Sequence, residues 1–370
     1  MLIGVPKEVK NNEFRVAIVQ AGVKSLCKAG HEVRIQAGAG IGSGISDKAF
    51  SESGATIVHS AAEAWDVDLV VKVKEPQSEE FKFMREGLLL YTYLHLANEP
   101  EVTKALLEHK VNAIAYETIQ LADRSLPLLR PMSEVAGRMA SQVGATLLEK
   151  RHGGRGVLLG GVPGVARGVV TIIGGGVAGI NAAKIAVGLG AEVIVIELGQ
   201  KRLEYLDDIF GNQLDTRKSN MVNIEESVAR SDLVIGTVLI PGAKAPKLVT
   251  KEMVKSMSPG SVIVDVCIDQ GGCVETSKPT SHEKPTFVDH GVIHYAVTNM
   301  PGAVARTSTF ALTNYTMDYL LRLANGAEDA IKRDPALALG VNCWKGECVY
   351  EQVAQDLNLP YTPLDKVLGQ

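Results

Sequence analysis

Apolar positions along this chain come in short runs separated by amphipathic stretches. In the first third, LIGV (2–5), EVRIQ (32–36), ATIV (55–58), LVVKV (69–73), GLLLYTY (87–93) and NAIAY (112–116) have the length and β-branched or aromatic content of strands. Between them, 21–29 and 99–109 repeat apolar residues at helical spacing, the second behind Asn98 as an N-cap. Strands alternating with helices predict a parallel sheet covered on both faces. A longer helix is expected from Ser133 to Arg151, behind Pro131, and the glycine-rich loop GGRGVLLGGVPG then leads into a second strand–helix series from Val169 to about Val297. After Gly302 the pattern turns helical: STFALTNYTMDYLLRLANG is amphipathic and shows no strand signal.

The second series opens with GVVTIIGGGVAGINAAKIAVGLGAEVIVIE, which reads as strand, tight turn, helix, strand. Gly174, Gly176 and Gly179 fit G-x-G-x-x-G. The first permits the turn, the second lets backbone approach a pyrophosphate, and the third lets helix and strand pack closely. The helix N-terminus behind them offers N–H groups and a positive dipole end to phosphate. Glu197 ends the following strand, at the spacing of the acid that binds an adenosine ribose, and favours NAD over NADP, although Lys201 and Arg202 stand nearby. A fold of this type without a dinucleotide is the plainer alternative. With 370 residues, more than one core should hold, the fold class is α/β: two doubly wound Rossmann-like domains with parallel sheets, the NAD domain inserted into the substrate domain. The expected bounds are 1–130 for the first part of the substrate domain, 131–305 for the NAD-binding domain, and 306–370 for a helical segment completing the substrate domain.

Composition narrows the partners. With 46% hydrophobic and 22% charged residues the chain is globular, and a net charge of −4 without any basic run argues against nucleic acid or anionic membrane as partner. No apolar run approaches the roughly 18 residues of a membrane span, and MLIGVPKEVK lacks the pattern of a signal peptide. The five cysteines, at 27, 267, 273, 343 and 348, are odd in number and scattered, which suggests reduced thiols and a cytoplasmic protein. Cys343 and Cys348 lie close together, but no second Cys or His pair stands near them, so no metal is expected.

One strand carries a puzzle. In DLVVKVKEP, Val71 and Val73 share one face and Lys72 and Lys74 the other, although the run reads as buried. Ligands in open α/β sheets sit beyond the carboxyl ends of strands. The polar residues expected there are Lys74 and His95 in the first domain, and Asp269 and Asn299 in the second. Alone, each has an ordinary explanation: a solvated lysine, a structural histidine, a capping aspartate, a turn asparagine. Together they supply a cation, an acid/base, a carboxylate and an amide, and a cleft between the two domains is the expected site.

Several blocks then resemble one family closely. MLIGVPKEVKNNEFRVAI, VVKVKEP, TYLHLA, AYET, SLPLLRPMSEVAGRMA, GGRGVLLGGVPGV, GGGVAG, VLIPGAKAPKLV, DVCIDQGGCVETS and VTNMPGAVARTST are similar to blocks of the alanine dehydrogenase and nicotinamide nucleotide transhydrogenase family, and most of all to L-alanine dehydrogenases. The resemblance covers nearly the whole chain. It implies NAD-linked, reversible oxidative deamination of L-alanine to pyruvate and ammonia, in a homohexamer. It also implies that Arg15 and Lys74 hold the substrate carboxylate and carbonyl oxygen, that His95 is the general acid/base and Asp269 the second catalytic residue, and that Asn299 lines the substrate site. On the cofactor side it adds Ser133, Val177, Ala178, Glu197, Arg202, Ser219, Val238, Leu239, Ile268 and Met300. Four positions depart from the family: Val19-Gln20 replaces a common Thr-Pro, Glu197 a usual Asp, and Lys278 a usual Arg. The competing readings are the nucleotide-binding subunit of a proton-translocating transhydrogenase, a saccharopine dehydrogenase, and an NAD-sensing module.

Overall fold

A computed structural model describes residues 1–238 and 245–369. The chain divides into two compact units, Met1–Met132 with Val304–Gln370, and Ser133–Ala303. The first unit opens with strands β1 (Leu2–Val5), β2 (Glu32–Gln36), β3 (Thr56–Val58), β4 (Leu69–Val71), β5 (Leu89–Thr92) and β6 (Asn112–Ala115). The second supplies β7 (Val169–Ile173), β8 (Glu192–Glu197), β9 (Asp215–Lys218), β10 (Leu233–Gly236), β11 (Val262–Asp265), β12 (Thr286–Asp289) and β13 (Val292–Tyr295). The chain then returns to the first unit for β14 (Val341–Trp344) and β15 (Glu347–Cys348).

The first sheet runs β15-β14-β6-β5-β4-β1-β2-β3. Its six first strands are mutually parallel, while β14 is antiparallel to β6 and β15 to β14. The strand order reverses between β1 and β4, because each successive βα crossover leads outward from that pair on one side or the other. Such a reversal opens a crevice at the carboxyl ends of the two strands. Here those ends carry Glu8, beyond β1, and Lys72 and Lys74, beyond β4. Pairing continues past the end of β4: Lys72 N–H donates to the Tyr91 carbonyl (3.2 Å), and Tyr93 N–H to that of Val73 (3.4 Å).

The second sheet runs β12-β13-β11-β10-β7-β8-β9 and reverses in the same way between β7 and β10. All its neighbours are parallel except β12 and β13. Each sheet is therefore parallel within and antiparallel at one edge, where the sequence pattern suggested parallel strands throughout. The exceptions are tight hairpins: β12–β13 turns at His290 and Gly291 (φ 49° and 77°), and β14–β15 at Lys345 and Gly346 (φ 50° and 87°).

The last hairpin corrects the expectation of a purely helical tail. Its strands are short, and Lys-Gly is a weaker hairpin signal than Asn-Gly or Asp-Gly. One N-cap also differs: Pro100 occupies the first turn of helix Pro100–Glu108 and Glu99, not Asn98, precedes it. Proline suits that place because the N–H it lacks has no helical partner there. The long helix Ala305–Arg333 is interrupted at Gly326, whose φ of 149° no helix contains. No helix among the described residues is long and apolar enough to cross a membrane.

Candidate active site

In the second unit the crevice at the β7/β10 reversal is built by glycine. Gly174, just past β7, has φ 99°, a conformation open to glycine but strained for side-chain-bearing residues. Gly176 caps helix Val177–Gly188 with no side-chain bond, so the N–H groups of Val177 and Ala178 are presented at the helix start. A Cβ added at Gly176 would meet nothing within 4 Å, whereas one at Gly179 would collide with the Gly174 carbonyl oxygen. One glycine therefore keeps space clear and the other permits close packing. Thr237, just past β10, donates from Oγ1 to the Gly174 carbonyl (2.7 Å) and fixes the turn.

Glu197, at the end of β8, accepts from the N–H of Gly175 (2.6 Å) through one oxygen and of Gly199 (2.8 Å) through the other. Its carboxylate is thus aimed before any ligand arrives. Arg202 donates from Nε to the Gly175 carbonyl and from Nη2 to that of Gly176 (3.3 Å), with its guanidinium over the Tyr205 ring. The structure gives Arg202 the work of bracing the turn. Ser219 N–H bonds the Glu197 carbonyl (2.9 Å) at the end of β9. Ser133 lies in helix Arg130–Leu147, one turn before Gly137, whose Cα faces the Ala178 carbonyl too closely to admit a Cβ. Val238 is half-buried, Ile268 and Met300 are buried, and Leu239 lies outside the described residues. A Gly-lined turn, exposed helix-start N–H groups and a pinned carboxylate fit a dinucleotide. Lys278 sits with its ammonium 4.6 Å from the centre of the Phe287 ring.

Asp269 and Asn299 belong to this unit as well. Strand β11 ends at Asp265 rather than at Asp269, which is exposed on the turn Ile268–Gln270. Its carboxylate accepts from the Asn299 N–H at 3.5 Å. Asn299 holds φ 57°, and its carbonyl lies 3.2 Å from His282 Nε2.

In the first unit the two lysines of the puzzle separate. Lys72 is 0% exposed and bridges Glu8 (3.1 Å) and Glu80 (2.9 Å). Burial works against its charge, but the two carboxylates prevail and its pKa rises. Lys74 is half-buried and, among the described residues, its ammonium has no hydrogen bond or ion pair. Its carbonyl is held by Thr92 Oγ1 at 3.0 Å. Burial, and then the Arg15 guanidinium, push the Lys74 ammonium below the ordinary lysine value, outweighing the nearby Glu75 and Glu13 carboxylates.

Arg15 is 2% exposed and carries a carboxylate of its own. Glu13 accepts from Arg15 Nε (2.7 Å) and Nη2 (2.5 Å), a bidentate pair, while Nη1 approaches Met132 Sδ (3.1 Å). Burial disfavours the Glu13 anion, yet Arg15's bonds and charge hold its carboxyl below the usual range. His95 follows β5 in a left-handed conformation, φ 51°, with its ring stacked on Tyr93 (5.9 Å between centres, 6° between planes). Glu117 accepts from the backbone N–H groups of His95 (2.6 Å) and Leu94 (3.1 Å) and so fixes that turn. Glu13, Glu117 and Tyr93 went unnoticed in the sequence. For Glu13 a signal existed, since residues two apart on extended chain share a side.

Two reversing α/β sheets, one with a dinucleotide-type turn and the other with a cation at its switch point, define an oxidoreductase architecture. Residues 4–136 match the family model "Alanine dehydrogenase/PNT, N-terminal domain", and residues 140–351 "Alanine dehydrogenase/PNT, C-terminal domain". The chain belongs to the alanine dehydrogenase/PNT family. An alanine dehydrogenase of Methanococcus maripaludis is 59% identical over 373 residues, covering 100% of both chains. One of Bacillus subtilis is 59% identical over 370 residues, covering 100% of this chain and 98% of the relative. A solved L-alanine dehydrogenase matches with a TM-score of 0.95 at 52% identity over 97% of this chain and 99% of its own. A transhydrogenase from Sinorhizobium meliloti matches with 0.82 at 26% identity, over 95% and 99%.

Proposed function

We propose that this chain catalyses the NAD-dependent, reversible oxidative deamination of L-alanine: alanine, water and NAD⁺ give pyruvate, ammonium, NADH and a proton. The observation that carries the reading is Lys74. It is a half-buried ammonium at a sheet switch point with no hydrogen-bonded or ion-paired partner among the described residues, while its neighbour Lys72 is neutralised twice over. An unneutralised, partly desolvated cation suits a small anion such as a 2-oxo acid.

In this reading Lys74 polarises the C2 oxygen of pyruvate and stabilises negative charge there as ammonia adds. Arg15 holds the carboxylate. Glu13 and Met132 fix the direction of its guanidinium fork. His95 moves protons: in deamination it takes one from the alanine ammonium before oxidation, then serves the water that attacks the iminium. Its ring is oriented by Tyr93 and its backbone by Glu117. Asp269 stabilises the iminium cation, and Asn299 lines the site beside it.

Gly174, Gly176, Val177, Ala178 and Gly179 would hold the pyrophosphate, Glu197 the adenosine ribose, and Ser133, Arg202, Ser219, Val238, Leu239, Ile268 and Met300 the remainder of the dinucleotide. When bound, the nicotinamide supplies the hydride acceptor, chemistry that belongs to the cofactor. A cytoplasmic homohexamer is part of the same reading, and sedimentation velocity tests the assembly.

The deciding experiment measures NADH oxidation with a panel of 2-oxo acids, each with and without ammonium. Ammonium-dependent turnover with pyruvate above all others is the expected result. Hydride exchange between two nucleotides, without any turnover of pyruvate, would place the chain with the transhydrogenases instead.

A further inference from the structure

Three potential metal ligands converge at the end of β11, none with a part in the reaction described above. The ligand atoms of Asp265, Cys267 and Cys273 all lie within 4.8 Å of one another. Asp265 and Cys273 are fully buried, and Cys267 is 7% exposed. Both thiols address one carboxylate oxygen: Asp265 Oδ1 is 3.0 Å from Cys267 Sγ and 3.9 Å from Cys273 Sγ. The carboxylate also accepts from the N–H groups of Cys273, at Oδ1 (3.4 Å), and Val274, at Oδ2 (3.2 Å). Two glycines leave the cluster no spare room for side chains around it: a Cβ at Gly236 would strike Cys273 Sγ, and one at Gly272 would lie 2.5 Å from Asp265 Oδ2. In the sequence, Cys343 and Cys348 stand out as the closest thiol pair, and they lie elsewhere.

We propose that Asp265, Cys267 and Cys273 form a site for a soft divalent cation, zinc or cadmium, completed by one further oxygen ligand such as water. Zinc lies about 2.3 Å from thiolate sulfur and about 2.0–2.2 Å from carboxylate oxygen in tetrahedral sites. Those radii require sulfur–oxygen separations of about 3.5 Å and a sulfur–sulfur separation of about 3.8 Å. The observed 3.0 and 3.9 Å bracket the first, and the 4.8 Å limit admits the second. Binding replaces both thiol protons: two S–H bonds are lost, two sulfur–metal bonds form, and two protons leave with no change of oxidation state. The turn between the two cysteines carries Asp269, but the inference concerns binding and stands apart from any catalytic role of that residue.

The test titrates full-length, reduced, metal-stripped protein with cadmium and follows the ultraviolet thiolate-to-metal charge-transfer band. One ion per chain is expected, with proton release. Removing an outer-shell partner of a metal costs about 10–100-fold, so losing the ligands in Cys267→Ala/Cys273→Ala should cost at least about 100-fold. Cys343→Ala/Cys348→Ala should bind as the unaltered protein does. A band undiminished in the first double variant overturns the proposal. X-ray absorption on the zinc-loaded, unaltered protein decides without any variant: two sulfur neighbours support the site, and a shell of nitrogen and oxygen alone refutes it.

Discussion

Two lysines two residues apart on one extended segment show how far identity and role can diverge. Lys72 is structural. Removing one partner of a buried ionic cluster strands the others, at a cost of about 3–5 kcal/mol. Lys72→Met should therefore lower unfolding free energy by that amount, because Glu8 and Glu80 would remain buried without their cation; an unchanged denaturant midpoint would contradict it. Lys74 makes its own prediction in pH. Burial and Arg15 lower its pKa, so as pH rises the ammonium discharges earlier than an ordinary lysine does. KM for pyruvate, at saturating NADH and fixed free ammonia, should accordingly climb on the alkaline side below the ordinary lysine value of 10.5. Lys74→Arg should move that limb upward, since a guanidinium stays charged. A limb that ignores the substitution would remove Lys74 from the groups that bind pyruvate. The alternation of faces and the rarity of buried lysine made this pair legible in sequence. The carboxylates that neutralise Lys72 come from residues 8 and 80, and no local pattern announces such a pairing.

Among the elements, the glycine turn was readable because it joins three signals: a β-branched strand, glycine spacing and an Ala-rich helix. The structure divides the labour of its glycines in a way spacing alone does not. Gly176→Ala should leave stability within about 0.5 kcal/mol of the original, since the new Cβ meets nothing within 4 Å. NADH affinity should fall all the same, because that space is where a pyrophosphate would approach. Gly179→Ala should lower the melting temperature, its Cβ colliding with backbone at Gly174. Equal effects of the two substitutions on stability would refute the division. Glu197→Ser should raise relative use of NADP, as a carboxylate pinned by Gly175 and Gly199 would no longer oppose a 2′-phosphate. The β14–β15 hairpin, by contrast, was not legible. Its four-residue strand, closed by Lys-Gly, gains its pairing from β6, more than two hundred residues away.

For the molecule as a whole, the alternation of strands and helices and the long family-like blocks made the α/β architecture and the enzyme class readable from the chain. The Glu117 brace behind His95 was not, because it arises only on folding, and neither was the Asp265 carboxylate, outside that site, set between two thiols. Function comes down to a partly buried ammonium, Lys74, that makes no ion pair among the described residues, so that a substrate anion can provide one. Replacing it with an uncharged side chain of similar length is the most direct trial: pyruvate- and ammonium-dependent NADH oxidation by Lys74→Met, with NADH affinity measured in parallel. kcat/KM for pyruvate should fall about 100- to 1,000-fold or more, the range for losing one charge-stabilising donor, with NADH binding unchanged. Turnover retained within about tenfold, well short of that range, or a loss confined to NADH affinity, would contradict it.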